Sequence, residues 1–371
     1  MIKLAHPIIE PDEQRAVAEA LASGQLAQGP RVAAFEAAFA AYVGVGHAVA
    51  VNSGTAALHT ALLAHGIGAM SREGSPDDEV IVPAFSFAAT ANCVLQAGAR
   101  PVFVDVREDD FNIDVAALEA AITPNTRAVI GVHLYGQMCD TQALKSLCDR
   151  RGLVLIEDAA QAIGATQRGD RAGSVGAGCF SFYATKNLTT SEGGMITTND
   201  PAIAEHARAI RSQGERTRYV TEELGWNYRM TEPAAALGLA QLAKIDGRNE
   251  RRRDNAARLN ELLADNAGIV TPGELPGRHH VWHQYTIRVR AGREARDRLQ
   301  ASLREQGIES AVFYPSPIHQ QPLYRRLGYG GAELPVAARL CGEVLSLPVH
   351  PGLSDDDLAA IAAAVNGALS A

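Results

Sequence analysis

Cysteines are few in this chain, apolar runs are short and positive charge is in deficit. The five cysteines, Cys93, Cys139, Cys148, Cys179 and Cys341, are odd in number and widely spaced, with no CxxC pair. That excludes a disulfide framework or a cysteine zinc site and leaves buried free thiols as the plain expectation. No apolar run approaches the roughly 18–20 residues that a membrane-spanning helix needs. The opening MIKLAHPIIEPDE has one lysine and an early acidic cluster, so it does not read as a signal peptide, and a cytoplasmic protein is expected. A formal net charge of −8 argues against a protein that binds nucleic acid by neutralising phosphates. GxxxxGK[ST] and GxGxxG are also missing, so neither a nucleoside-triphosphate nor a dinucleotide site is supported.

What is present is an ordinary globular composition: 371 residues, 47% apolar and 20% charged, long enough for two or three domains. Strand-like runs at Val80–Val82, Pro101–Val106, Ala128–Leu134 and Leu153–Ile156 alternate with helical segments. Those helices are closed by Gly98, capped by Asp114, or capped by Asp140 and ended by Gly152. This rhythm predicts an α/β sheet, mostly parallel and covered on both faces. Strands are then expected at Gly178–Tyr183 and Met195–Thr198, and a helix from Pro201 that stops before Gly214. A long helical stretch runs from Thr231 through Asp246 and resumes over Arg248–Leu263. Beyond it, strands at Trp282–Val289 and Ile308–Tyr314 and helices at Arg293–Gln306 and Ser354–Leu369 make a smaller α+β unit. The boundary is set near residue 240, giving a large domain over 1–240, with an N-terminal helical segment, and a small one over 241–371.

Four segments hold candidate chemistry. Asn52-Ser53-Gly54-Thr55-Ala56-Ala57-Leu58 is a small-residue turn opening a helix, where free N–H groups and the dipole suit a phosphate; an ordinary Ser-capped helix fits the turn equally. Glu157-Asp158-Ala159-Ala160-Gln161 ends an apolar strand, and a carboxylate there needs a cationic partner such as a protonated pyridine nitrogen, unless it is a cap or a structural ion pair. In Ser181-Phe182-Tyr183-Ala184-Thr185-Lys186, followed by Asn187-Leu188 and Ser191-Glu192-Gly193-Gly194-Met195, a desolvated lysine would bind a carbonyl covalently. Gly225-Trp226-Asn227-Tyr228-Arg229-Met230-Thr231-Glu232 brings Asn and Arg towards an anion and also caps a helix at Thr231. Arg248, Arg251, Arg252 and Arg253 alternate with Glu250 and Asp254 and are expected on a solvated helix face.

Taken in order, NSGTAAL, VPAFSFAATAN, IEDAAQAIGA, SFYATKNLTTSEGGM, WNYRMTEPAAALGLAQL and YPSPIHQQPLY, with Ser23-Gly24 and Gln28-Gly29-Pro30 before them, resemble the DegT/DnrJ/EryC1/StrS sugar aminotransferases. The resemblance spans nearly the whole chain. It implies the fold type I arrangement of pyridoxal-phosphate enzymes: a large domain on a mixed, mostly parallel seven-stranded sheet, a smaller C-terminal α+β domain, and a homodimer with shared active sites. By the same resemblance Lys186 binds pyridoxal 5'-phosphate, Asp158 pairs with its ring nitrogen and Gln161 lies near its ring hydroxyl. Gly54, Thr55, Ala56 and Ser181 cradle the phosphate, and Asn227 reaches the phosphate held by the other subunit. Phe87, with Phe85 close by, stacks on the ring. Tyr314, His319, Gln320, Arg229 and the segment Arg278–His283 are candidate substrate contacts. The implied reaction moves an amino group, with glutamate the expected donor, to a nucleotide-linked keto-sugar. A keto-cyclitol acceptor and a catalytically silent cofactor-binding protein are the alternatives. Some relatives carry histidine in place of the lysine and become dehydratases; Lys186 favours transamination.

Overall fold

The computed structural model describes residues 1–369. Its central sheet is built from β1 (His47–Val51), β2 (Glu79–Pro83), β3 (Arg100–Val104), β4 (Thr126–Val132), β5 (Val154–Asp158), β6 (Ala177–Ser181) and β7 (Gly194–Thr198). These seven lie in the order β1-β7-β6-β5-β4-β2-β3. β7 runs antiparallel to both neighbours and the other pairs are parallel, so the sheet is mixed and mostly parallel, as expected. Side chains alternate between two cores with the period of a strand. Val80, Val82, Ala128, Ile130 and Ile156 face one, and Ile81, Val129 and Leu155 face the other. Burial on both sides explains why these strands read as continuous apolar runs.

Helices α1 (Pro11–Ala22) and α2 (Pro30–Val43) precede β1, α3 (Gly54–Ala64), α4 (Ala89–Gln96), α5 (Val115–Ala120) and α6 (Thr141–Arg151) connect strands, and α7 (Pro201–Arg211) follows β7. α2 brings Phe35 and Phe39 onto Phe180 and Phe182 at the end of β6, with Phe39 and Phe180 edge-to-face at 4.9 Å. The expected caps form: Asp114 accepts from Ala116 N at 2.9 Å, Asp140 from Ala143 N at 3.2 Å and Thr231 from Ala234 N at 3.4 Å. All five cysteines are buried and free.

α8 (Glu232–Leu242) and α9 (Ile245–Leu263) lead to a second antiparallel sheet of β8 (Ile269–Val270), β9 (Tyr285–Val289) and β10 (Val344–Leu347). α10 (Arg293–Glu305), α11 (Pro322–Arg326), α12 (Pro335–Glu343) and α13 (Asp355–Leu369) complete the chain. Leu259 and Leu263 of α9, Leu299 and Leu303 of α10, and Leu358 and Ile361 of α13 bury this second sheet. Ile318, Tyr324 and Leu340 return to the core of the large sheet.

Two expectations need correction. Ile308–Tyr314 is not a strand: only Ile308 and Ala311 form bridges, to Ile2 and Ser346. The chain then leaves the sheet edge and carries Phe313 and Tyr314 to a cavity in the large domain. Nor is the arginine cluster a solvated face throughout, because Arg252 is buried, on the side of α9 that carries Asn249, Asn255 and Leu259. Among the described residues, no helix is long and apolar enough to cross a membrane.

Candidate active site

β1, β2, β4, β5 and β6 all end at one edge of the sheet, where ligands bind in open α/β folds. A cavity of about 330 Å³ lies there, and Ser53, Gly54 and Thr55 after β1, Phe87 after β2, Asp158 at the end of β5 with Gln161 beyond it, and Ser181 at the end of β6 with Lys186 beyond it all line it. Phe85 points into the core at 1% exposure whereas Phe87 is 59% exposed on the cavity wall, so the structure separates the two candidate aromatics.

Asp158 is almost fully buried. Thr90 Oγ1 donates to its Oδ2 at 2.8 Å and Ala160 N approaches Oδ1 at 3.3 Å. Among the described residues no cation forms an ion pair with it. Burial raises its pKa above the ordinary carboxylate value, while Thr90, Ala160 and Lys186 oppose that rise. Glu157, on the opposite face of the strand end, is a structural contrast. It accepts from Gly173, Val175 and Gly176 amides and from His133 Nε2 at 2.9 Å. Burial works against its charge, but these donors prevail and its pKa falls.

Lys186 follows a turn closed by its own N–H on Tyr183 O at 2.9 Å. Its side chain faces the cavity, and burial lowers its pKa to about 8 against the opposing pull of Asp158. An amine of that basicity is a nucleophile and a base near neutral pH.

The phosphate-cradle candidates divide. Ser53 caps α3 by accepting from Ala56 N at 3.1 Å, so that amide is engaged and the Ala56 side chain is buried outside the cavity lining. The N–H groups of Gly54 and Thr55 have no acceptor among the described residues, and Ser181 stands opposite them. A Cβ on Gly54 would lie 2.7 Å from Ser181 Cβ, so only glycine allows this approach.

Gln161 holds the other wall: it accepts from Tyr135 N at 2.6 Å and donates to Tyr314 Oη at 3.2 Å. Tyr135 Oη donates to Phe313 O, tying the same wall to the C-terminal third. Asn227 and Arg229 do not line the cavity. Their backbones run beside the end of β1, where Asn52 Nδ2 donates to Asn227 O at 3.3 Å, and the Asn227 side chain is exposed. His319 is buried against Phe103, with ring centroids 5.8 Å apart, and Gln320 pairs with Arg325 at the surface; neither lines the cavity. Of Arg278–His283 only His283 reaches it. Sequence reasoning missed Thr90, Ser86, Phe313 and Gln284; a hydroxyl in the helix after β2 was the only signal for the first.

Together these groups present an amine, a carboxylate lacking a cation, and open amides at a helix N-terminus. That donor set fits pyridoxal 5'-phosphate: an aldehyde for Lys186, a pyridine nitrogen for Asp158, and a phosphate for Gly54, Thr55 and Ser181. A larger cleft of about 940 Å³ beside Met1, Gln300 and Arg304 has no such convergence.

The model of the DegT/DnrJ/EryC1/StrS aminotransferase family matches residues 7–366. The chain is 45% identical over 352 residues to the pleiotropic regulatory protein of Geobacillus stearothermophilus, covering 94% of this chain and 92% of that one. It is 42% identical to GDP-perosamine synthase of Caulobacter vibrioides, with 99% and 98% covered. The crystal structure of DesV from S. venezuelae superposes with a TM-score of 0.89 at 42% identity, covering 96% of this chain and 93% of that one.

Proposed function

The chain belongs to the DegT/DnrJ/EryC1/StrS aminotransferase family, whose aminotransferases depend on pyridoxal 5'-phosphate, and on that premise we propose that it aminates the keto group of a nucleotide-linked sugar. The amino donor in this reading is an amino acid, with L-glutamate first to be tested. The observation that carries the reading is Lys186 and Asp158 lining one cavity whose far end offers the Gly54 and Thr55 amides. A relative named for a GDP-sugar product supports the acceptor class.

When bound, the cofactor supplies an electron-withdrawing ring and a carbonyl carbon through which an amino group passes. The chain's residues do the rest. Asp158 holds the ring nitrogen protonated, and its buried position makes that pairing strong. Lys186 would hold the cofactor and, once free, its Nζ would move a proton between the donor's carbon and the cofactor's carbonyl carbon in one half-reaction, and between that carbon and the acceptor's carbon in the other. Gly54, Thr55 and Ser181 would hold the phosphate and so keep the ring in place beside Lys186. Phe87 covers one ring face, and Gln161 orients the ring hydroxyl. Asn227, exposed beside the end of β1, would complete the phosphate site of a second subunit in a homodimer with two shared sites.

The test is a spectrum of the cofactor-loaded protein before and after glutamate, followed by a panel of keto-sugar nucleotides against scyllo-inosose, with product masses recorded. A spectral response and an aminated sugar nucleotide support the reading. Amination of the cyclitol alone would move the function to that alternative class, and a spectrum unmoved by any donor would mark a silent cofactor-binding protein.

A further inference from the structure

His283 is buried on the cavity wall, with its ring nitrogens fixed in role by a chain of amides behind Lys186. Asn249 Nδ2 donates to Ile163 O at 2.9 Å, which leaves Asn249 Oδ1 as an acceptor for Asn187 Nδ2 at 2.8 Å. Asn187 Nδ2 also donates to Val281 O at 2.9 Å. Flipping either amide would bring oxygen against a backbone carbonyl, so both orientations are set. Asn187 Oδ1 is therefore the acceptor that faces His283 Nδ1 at 3.1 Å, and the proton of the neutral ring sits on Nδ1. Nε2 keeps its lone pair, with Gln284 Nε2 as a distant donor at 3.5 Å.

The charges around the ring agree with neutrality. Burial, then Lys186 on the loop after β6, Arg252 on α9 and His280 on its own segment, all depress its pKa well below the ordinary histidine value. Among the described residues no carboxylate offsets them.

Resting on Lys186 as the reactive lysine, with which His283 shares the cavity wall, we infer that His283 is a positioning residue for it: Nε2 accepts an N–H of the free Lys186 amine through one water. The amine's lone pair is thereby turned into the cavity, towards the carbon whose proton it takes. No bond is made or broken at His283, and it remains neutral throughout.

Two substitutions separate the two ring nitrogens. His283→Asn keeps a donor near the Nδ1 position for Asn187 but removes the cavity-facing acceptor. His283→Gln keeps an acceptor near the Nε2 position but loses the bond to Asn187. The readout is the apparent pKa of Lys186 in the full chain with cofactor dialysed out, from the pH dependence of its reductive methylation mapped by peptide mass spectrometry. An acceptor stabilises the ammonium form, so His283→Asn should lower that pKa by about one unit, a tenfold change in proton affinity. It should lower kcat by about tenfold or more with KM little changed, whereas His283→Gln should stay near wild type in both. Both variants unchanged, or Gln the more damaged of the two, would overturn the inference. A wild-type protein whose cofactor maps to another lysine would instead overturn the reading on which it rests.

Discussion

Thr90→Val removes one hydroxyl from a fully buried side chain and leaves its shape almost intact. That hydroxyl is the short donor to Asp158, at 2.8 Å, and Ala160 N, at 3.3 Å, is a weak substitute. Because Thr90 has a single proton, Ser86 Oγ must be the donor in their 2.9 Å contact while Asp158 is ionised. A hydrogen bond to a charged group contributes about 1.5–3 kcal/mol, so losing this one should push the Asp158 pKa further up. Its pKa is already raised by burial, so the native chain holds this proton to higher pH than the unfolded chain. The stability it contributes is complete below the ordinary carboxylate range and declines as pH rises through the folded value. Thr90→Val should extend that decline to higher pH in the cofactor-free protein. In the loaded protein the acid limb of kcat should move upward and cofactor affinity should fall at mildly acidic pH, where the partner of the ring nitrogen is lost. Thr90→Ser retains a hydroxyl and should restore most of both. Cofactor affinity and kcat measured from pH 5 to 9 decide the matter; a Thr90→Val protein with an unmoved acid limb and unmoved affinity refutes the reasoning.

Borohydride reduction of the loaded protein followed by peptide mapping should place the pyridoxyl group on Lys186, and an adduct on Lys145 or Lys244 would sink that assignment. Gly54→Ala should weaken cofactor binding at least tenfold, because the new Cβ would meet Ser181 Cβ at 2.7 Å; overpacking of this kind costs about 1–3 kcal/mol, visible in thermal denaturation. Mixing inactive Lys186→Ala and Asn227→Asp chains should restore activity, since one site of each heterodimer carries neither lesion. Verified subunit exchange with no recovered activity would confine each site to one chain.

Much of the cavity was legible because it is built from local rules. Asp158 follows an apolar strand, Gly54 and Thr55 open a helix after another, and Lys186 lies in a turn between two more. The capping rule also held the signal for how Ala56 differs from Gly54 and Thr55: a serine at the N-cap takes the third amide of the helix, which is the Ala56 N–H. Arg252 departs from its expected solvated face because charge alternation with Glu250 and Asp254 does not register the buried stripe it belongs to. Asn249, Arg252, Ala256, Leu259 and Leu263 recur at helical spacing and form the buried side of α9, with polar members that find partners inside.

The illegible part has a different cause. Thr90 reaches Asp158 from a helix 68 residues earlier, and Phe313 reaches the cavity from the C-terminal third through a contact with Tyr135 spanning 178 residues, while the resemblance alone offers Tyr314 and His283. No local pattern specifies such pairings, because each depends on how separate elements dock. On the proposed function, the division follows the roles of the residues. Groups that grip a cofactor common to many reactions sit on strand ends and turns, where short motifs fix them. Groups that tune the proton chemistry and wall off the acceptor come from packed elements far along the chain. Substitutions in that second set should therefore change rate constants and acceptor choice while cofactor binding to Lys186 persists.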